Sequence, residues 1–198
     1  MKTLPLVLTM GLTALSTAAL AQTHVHDSAE LPSASLQSPA QKTASQQSFD
    51  TLKTLAGSWE GAVHVDPPVP ALEGQRSDIT LRVTSRGNAL VHEMHQQGMP
   101  DDPARYDHPL TMLYMDGDRL LLTHYCDAGN RPRMEGKVSP DGKTVEFDFL
   151  DVSGSVNHGH MHHAVFTLVD ADHHREDWTY MLPGDKPMHA HFDLQRKN

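Results

Sequence analysis

From residue 59 onward, short runs of the chain alternate apolar and polar side chains at period two, and turn-forming residues separate the runs. Arg86-Gly87-Asn88 lies between runs 79–85 and 89–97, and Asp116-Gly117-Asp118 between 110–115 and 119–125. Ser139-Pro140-Asp141-Gly142 divides 133–138 from 143–150, and Asp170-Ala171-Asp172 divides 164–169 from 173–181. Each break carries residues that accept tight-turn dihedrals, so each pair of runs reads as a β-hairpin. With runs at 59–65 and 188–194, the pattern predicts roughly ten strands joined by hairpins. A chain of this kind removes its exposed sheet edges by closing into an up-and-down barrel. A sandwich, the other all-β solution, needs longer crossovers than these.

One segment departs from the strand pattern. Phe49, Leu52 and Leu55 are spaced along one face of a short helix, with Ser48 or Asp50 as its cap and Gly57 as its stop. The expected domain is therefore residues 48–198, an all-β barrel with a short N-terminal helix. Its longest irregular connections, 67–75, 98–107 and 151–159, are expected near a barrel mouth.

The start of the chain has a different character. Residues 1–21 carry one early positive charge, Lys2, an apolar run, and then Ala19-Leu20-Ala21. This is the pattern of a cleaved signal peptide, and the apolar run is too short for a permanent membrane span. The mature protein is expected to begin at Gln22 and to be periplasmic or secreted, without stable membrane insertion. Residues 22–47 are rich in Ser, Ala, Gln, Thr and Pro without apolar periodicity, and read as a disordered linker. A free amine followed by His24 at the third position offers a planar nitrogen set for Cu(II) or Ni(II), with His26 nearby. Cyclisation of an N-terminal glutamine removes that amine.

Charge and cysteine content narrow the partners. The formal net charge is −9, and loss of Lys2 with the leader makes it more negative. Nucleic acids and anionic membranes require clustered Lys and Arg, so neither is an expected partner. The single cysteine, Cys126, forbids an internal disulfide, and a buried thiol is its expected state.

The segment Leu55-Ala56-Gly57-Ser58-Trp59-Glu60-Gly61 resembles the Gly-x-Trp opening of lipocalin-like barrels. Leu122-Thr123-His124-Tyr125-Cys126, followed by Gly129-Asn130 and Pro132-Arg133-Met134, is similar to a segment of secreted bacterial lipocalin-like (calycin-type) β-barrel proteins of unestablished function. The resemblance covers residues 49–196. It implies a barrel with Trp59 closing one end, Arg196 of the last strand packed across it, and a small ligand inside. It transfers no catalytic residue.

Fifteen histidines direct the search for a site. His124, Tyr125, Arg133, Trp178 and Tyr180 are the candidate ligand-binding residues. Within a largely apolar cavity, an Arg133 guanidinium and a His124 imidazole would hold a carboxylate or other polar head. The alternative is that Arg133 pairs with Glu135 or Asp148 on the surface. His124 and Cys126 share one strand face and Tyr125 takes the other, and a slip of one residue inverts which face points inward.

His160 and His162, and His189 and His191, are each two apart on a strand, the spacing at which two imidazoles share a Zn or Cu ion. A polar outer face built of histidine explains the same pattern. Haem, through one histidine, is a further possible cofactor. His92-Glu93-Met94-His95 is one residue short of a zinc-protease motif, and on a strand its histidines face opposite sides. No nucleophile elbow or phosphate-binding glycine loop is present. Three functions stay open: a barrel holding a small, partly apolar ligand, a metal-binding protein using strand histidines, and a small enzyme centred on His124. The oligomeric state is not readable from the sequence.

Overall fold

The structure is a computed structural model that describes residues 41–100 and 102–197. The leader, the start of the linker, and His24 and His26 lie outside the described residues. The chain forms helix α1 (Ala44–Lys53), then β1 (Gly57–Asp66), β2 (Arg76–Thr84), β3 (Ala89–Gln96), β4 (Leu110–Asp116) and β5 (Arg119–Tyr125). There follow β6 (Arg131–Val138), β7 (Thr144–Ser153), β8 (His160–Leu168), β9 (His173–Leu182) and β10 (Lys186–Arg196). Every strand pairs antiparallel with its sequence neighbours, and β10 returns to β1 with Trp59 opposite Arg196 and His64 opposite His191. The result is the closed ten-stranded, up-and-down barrel that the hairpin rhythm predicts. No helix among the described residues is long and apolar enough to cross a membrane.

Three boundaries differ from expectation. α1 begins at Ala44, so residues 44–47 are helix; the Thr43 hydroxyl caps it by accepting from the Gln46 N–H at 3.1 Å. β7 runs on to Ser153, which shortens the connection expected from 151. β8 begins at His160, ahead of the run expected from 164, and a bulge between Met161 and His163 breaks its period-two alternation.

The two ends of the barrel are unlike. All the tight hairpins named above lie at the end where β1 starts. There Phe49, Leu52 and Leu55 insert beneath Trp59, all four buried. Trp59 donates its indole N–H to the Leu55 carbonyl at 2.8 Å. The Arg196 guanidinium stacks on the indole, 4.0 Å from its centre, and donates to the Ala56 carbonyl at 3.0 Å. This is the end closure that the Gly-x-Trp resemblance implies. Gly57 makes it possible: its φ is +142°, and a Cβ there would sit 2.5 Å from the Arg196 Nη1. The longer connections, 67–75, 97–109, 126–130 and 154–159, gather at the opposite end and form the mouth.

The core follows from the alternation. Val63, Ile79, Leu90, Leu113, Leu122, Met134, Phe147, Phe166 and Leu194 point inward from nine strands and are buried. Removing each such side chain from water stabilises the fold by about 1.5–3 kcal/mol before entropy is counted.

Candidate functional site

β9 carries polar groups through this apolar interior. Its outward residues are polar and paired: His173 and Arg175 with Asp193, Asp177 with His191. Its inward residues are His174, Glu176 and Trp178, all buried. Glu176 has no exposed surface, and its carboxylate accepts three hydrogen bonds. Oε2 takes the His92 Nε2 at 2.9 Å and the Trp178 Nε1 at 3.0 Å, and Oε1 takes the His174 Nε2 at 3.0 Å. Burial alone would raise the pKa of this carboxyl, but the charges and hydrogen bonds of His92 and His174 outweigh it and hold it well below the usual carboxylate range. The Nδ1 atoms of both histidines are buried without a hydrogen-bond partner among the described residues. His174 also packs edge-on against Trp59, with centroids 4.2 Å apart. A polar column thus rises from the closed end through His174, Glu176 and His92 to Trp178.

Trp178 is where this column meets open space. Two adjoining lobes of a mouth cavity, of about 240 and 330 Å³, share Trp178, Met161, Met188, Ala190, Pro109 and Asp107 as walls. The first lobe extends along Val63, Val65, Met94 and Phe192 and is mainly apolar. The second is lined by His124, Cys126, Asp127 and Tyr180. With its N–H fixed by Glu176 and its ring flanked by His92, His124 and Phe166 at 5.6–5.7 Å, the indole is held in one orientation. It presents an apolar surface to whatever enters.

The polar groups of the second lobe have displaced acidities. The His124 imidazole is lowered to about 4 by its burial, then by the charge of His92, against a smaller opposite pull from Asp127. It is therefore neutral at physiological pH. Its Nδ1 lies 2.8 Å from the Thr111 hydroxyl, and its Nε2 has no hydrogen-bond partner among the described residues. Asp107 and Asp127 sit on the rim, open to solvent on their outer side. Partial burial, then the hydrogen bond and charge of Asp127, push Asp107 up to about 7. Burial also raises the Cys126 thiol and the Tyr180 phenol, whose O–H donates to the His158 carbonyl at 2.8 Å.

The sequence candidates divide accordingly. His124, Trp178 and Tyr180 meet in the cavity. Tyr125 and Arg133 do not, because the inward positions beside them are His124 and Met134, which puts both on the outer wall. Tyr125 is 48% exposed, and Arg133 donates to Asp151, with its Nε 2.8 Å from Oδ1. Glu135 and Asp148, the surface partners considered for it, are held by Arg119 and Lys137. Cys126 is half-buried and lines the second lobe, where full burial was expected.

The four histidines chosen for a metal do not converge. His160 and His162 touch each other at 3.2 Å; His162 stacks on Phe149 and His160 packs against it at a tilt. His189 bonds Thr179 and His191 bonds Asp177, across β9 from them. Among the described residues, Glu146, Asp148 and His163 alone are grouped closely enough to hold an ion; all three are at the surface and Asp148 is already paired with Lys137. His92 turns inward to Glu176, whereas His95 faces Asp78 at 3.7 Å, as strand geometry requires. The sequence reading missed Glu176, although its place between His174 and Trp178 in a period-two stripe puts it on their face. Asp107 and Asp127, in connections without periodicity, left no signal.

No family model matches this chain, and no curated protein matches it by sequence. Among solved structures it is similar to a protein with unknown function from the DUF3598 family of Nostoc punctiforme, at a TM-score of 0.48 and 10% identity. The match covers 74% of this chain and 49% of the other, so the chain spans about half the length of that protein.

Proposed function

We propose that this is an exported, lipocalin-like binding protein that holds a small, partly apolar molecule in the mouth of its barrel. The observation that carries the reading is the two-lobed cavity floored by Trp178. Its lobes of about 240 and 330 Å³ together reach the size range of small-molecule sites, and they are mainly apolar, with a few polar groups at one end. Export is supported by the signal-like pattern of residues 1–21.

Nile red, a neutral apolar dye, provides the test. It should bind the purified protein with a blue-shifted emission and quench part of the tryptophan fluorescence. Met161→Trp, which fills the space shared by both lobes, should abolish binding while keeping a cooperative melt. Arg133→Ala, on the outer wall, should leave binding unchanged. Failure of the dye to bind the wild-type protein, or equal binding by Met161→Trp, would refute the reading.

A further inference from the structure

Resting on the cavity reading above, we propose that the ligand is an amphiphilic cation. Its ammonium group sits between Asp107, Asp127 and His124, and its apolar body runs past Trp178 into the first lobe.

The charges of the lining carry the argument. Neither lobe is lined by a lysine or an arginine, and the carboxyl groups at the cavity are those of Asp107 and Asp127. With Arg133 on the outer wall, the second lobe has no lysine or arginine to pair with an anionic head. A carboxylate ligand would face two rim aspartates without a counter-charge, whereas an ammonium would face both with opposite sign. Partial burial, then the hydrogen bond and charge of Asp127, push the Asp107 carboxyl up to about 7. A bound cation would replace that proton.

His124 is an independent observation at the same place. It is 4% exposed, lines the second lobe beside Asp127, and leaves its Nε2 without a hydrogen-bond partner among the described residues. With Nδ1 engaged by the Thr111 hydroxyl, Nε2 is the ring nitrogen left to accept from a ligand N–H in this lobe. Because burial keeps this ring neutral, it can accept such a bond without adding a repelling charge. Trp178 and Tyr180 add aromatic faces next to the carboxyls, the surroundings that ammonium groups favour. The apolar side chains of Val63, Met94 and Phe192 in the first lobe then suit a saturated or aromatic body.

Three ligands with the same decyl tail and different heads separate the possibilities: decylamine, decanol and decanoate, titrated at pH 8 into the purified protein and followed by tryptophan fluorescence. Decylamine should bind at least about tenfold more tightly than decanol, a difference of about 1.4 kcal/mol, and decanoate should bind most weakly. In the Asp107→Asn/Asp127→Asn variant the preference for the amine over the alcohol should fall to less than about twofold, with the affinity for decanol unchanged. Equal binding of the three heads, or tightest binding of decanoate, overturns the cation proposal and leaves the cavity reading intact. A preference for the amine that survives in the double variant also overturns it, by assigning the attraction to the acidic surface as a whole. If neither Nile red nor any decyl compound binds, the cavity reading itself fails. If the double variant does not fold, Asp127→Asn alone, at an exposed position, carries the same comparison: the preference for the amine should fall, and an undiminished preference overturns the proposal.

Discussion

Glu176 is the position where a single substitution should reveal most about how this barrel is held together. Truncation to alanine removes the acceptor of three hydrogen bonds at a fully buried position. Trp178 can only donate, and His92 and His174 each keep at least one N–H in every protonation state. Their Nδ1 atoms already lack partners, so moving a proton from one nitrogen to the other does not help. Three buried donors are therefore left unpaired at about 1–3 kcal/mol each. Breaking a buried charged pair typically costs about 3–5 kcal/mol, and we expect Glu176→Ala to fall in that range. For a domain of this size that lowers Tm by roughly 6–20 °C, at about 2–4 °C per kcal/mol.

Glu176→Gln should behave differently. Its amide oxygen can keep the bonds from His92 and Trp178. Its amide N–H₂ can donate to the His174 Nε2 once that ring carries its proton on Nδ1. All three contacts survive and one buried donor, the His174 Nδ1–H, is left without a partner, so the cost should be about 1–3 kcal/mol and below that of alanine. Urea denaturation at pH 7, followed by tryptophan fluorescence, gives both values. If alanine costs no more than glutamine, or less than about 1 kcal/mol, the carboxylate does not organise the network as argued.

The remaining expectations concern the closed end, the outer wall and the pH profile. Gly57→Ala should cost about 1–3 kcal/mol because alanine resists a φ of +142°. Combined with Arg196→Ala it should cost less than the sum of the two, since the guanidinium that its Cβ would strike is gone. Arg133→Ala should leave both Tm and Nile red affinity unchanged, because its pair with Asp151 is exposed. His124 and Asp107 should tilt the stability profile in opposite directions. His124 has a folded pKa lowered from 6.5 to about 4, so its contribution is whole above pH 6.5 and is lost as pH falls toward 4. Asp107 has a folded pKa raised from 3.8 to about 7, so the folded state binds the extra proton and stability falls as pH rises through that window. Melts between pH 4 and 7.5 should show a flatter slope on the acid side of 6.5 in His124→Gln, and a steeper gain with pH in Asp107→Asn.

The fold was legible because two independent signals agree: alternation marks each strand, and turn residues at 86–88, 116–118, 139–142 and 170–172 fix which strands are neighbours. The start of α1 was missed because its first turn is polar, yet Thr43-Ala44-Ser45-Gln46 has the spacing of a helix cap, and that cap forms. At β5 the inward face was ambiguous for a physical reason. Leu120, Leu121 and Leu122 are all buried, so both faces of the strand are apolar there and the period-two signal vanishes. The next strand resolves it, since Pro132 and Met134 are buried and Arg131 and Arg133 are exposed. Reading β5 and β6 as a pair would have turned Arg133 outward.

That one inversion decides what the barrel can hold. An arginine inside would have selected an anion, and the sequence offered no acidic alternative because Asp107 and Asp127 belong to connections without a period. Strand chemistry supplies the floor and walls, through Trp178 and Met188, which follow from alternation, and Met161, which the bulge in β8 turns inward. The charge of the site comes from the connections at the open end, where no sheet register constrains the choice of residue. The closed end is fixed by Trp59, Arg196 and α1, so substitutions there act on stability. The connections at the mouth can change their charge without disturbing a single ladder hydrogen bond. A barrel divided in this way can retain its pocket while the head group it accepts is set by a pair of loop residues, and Asp107 and Asp127 set it for a cation.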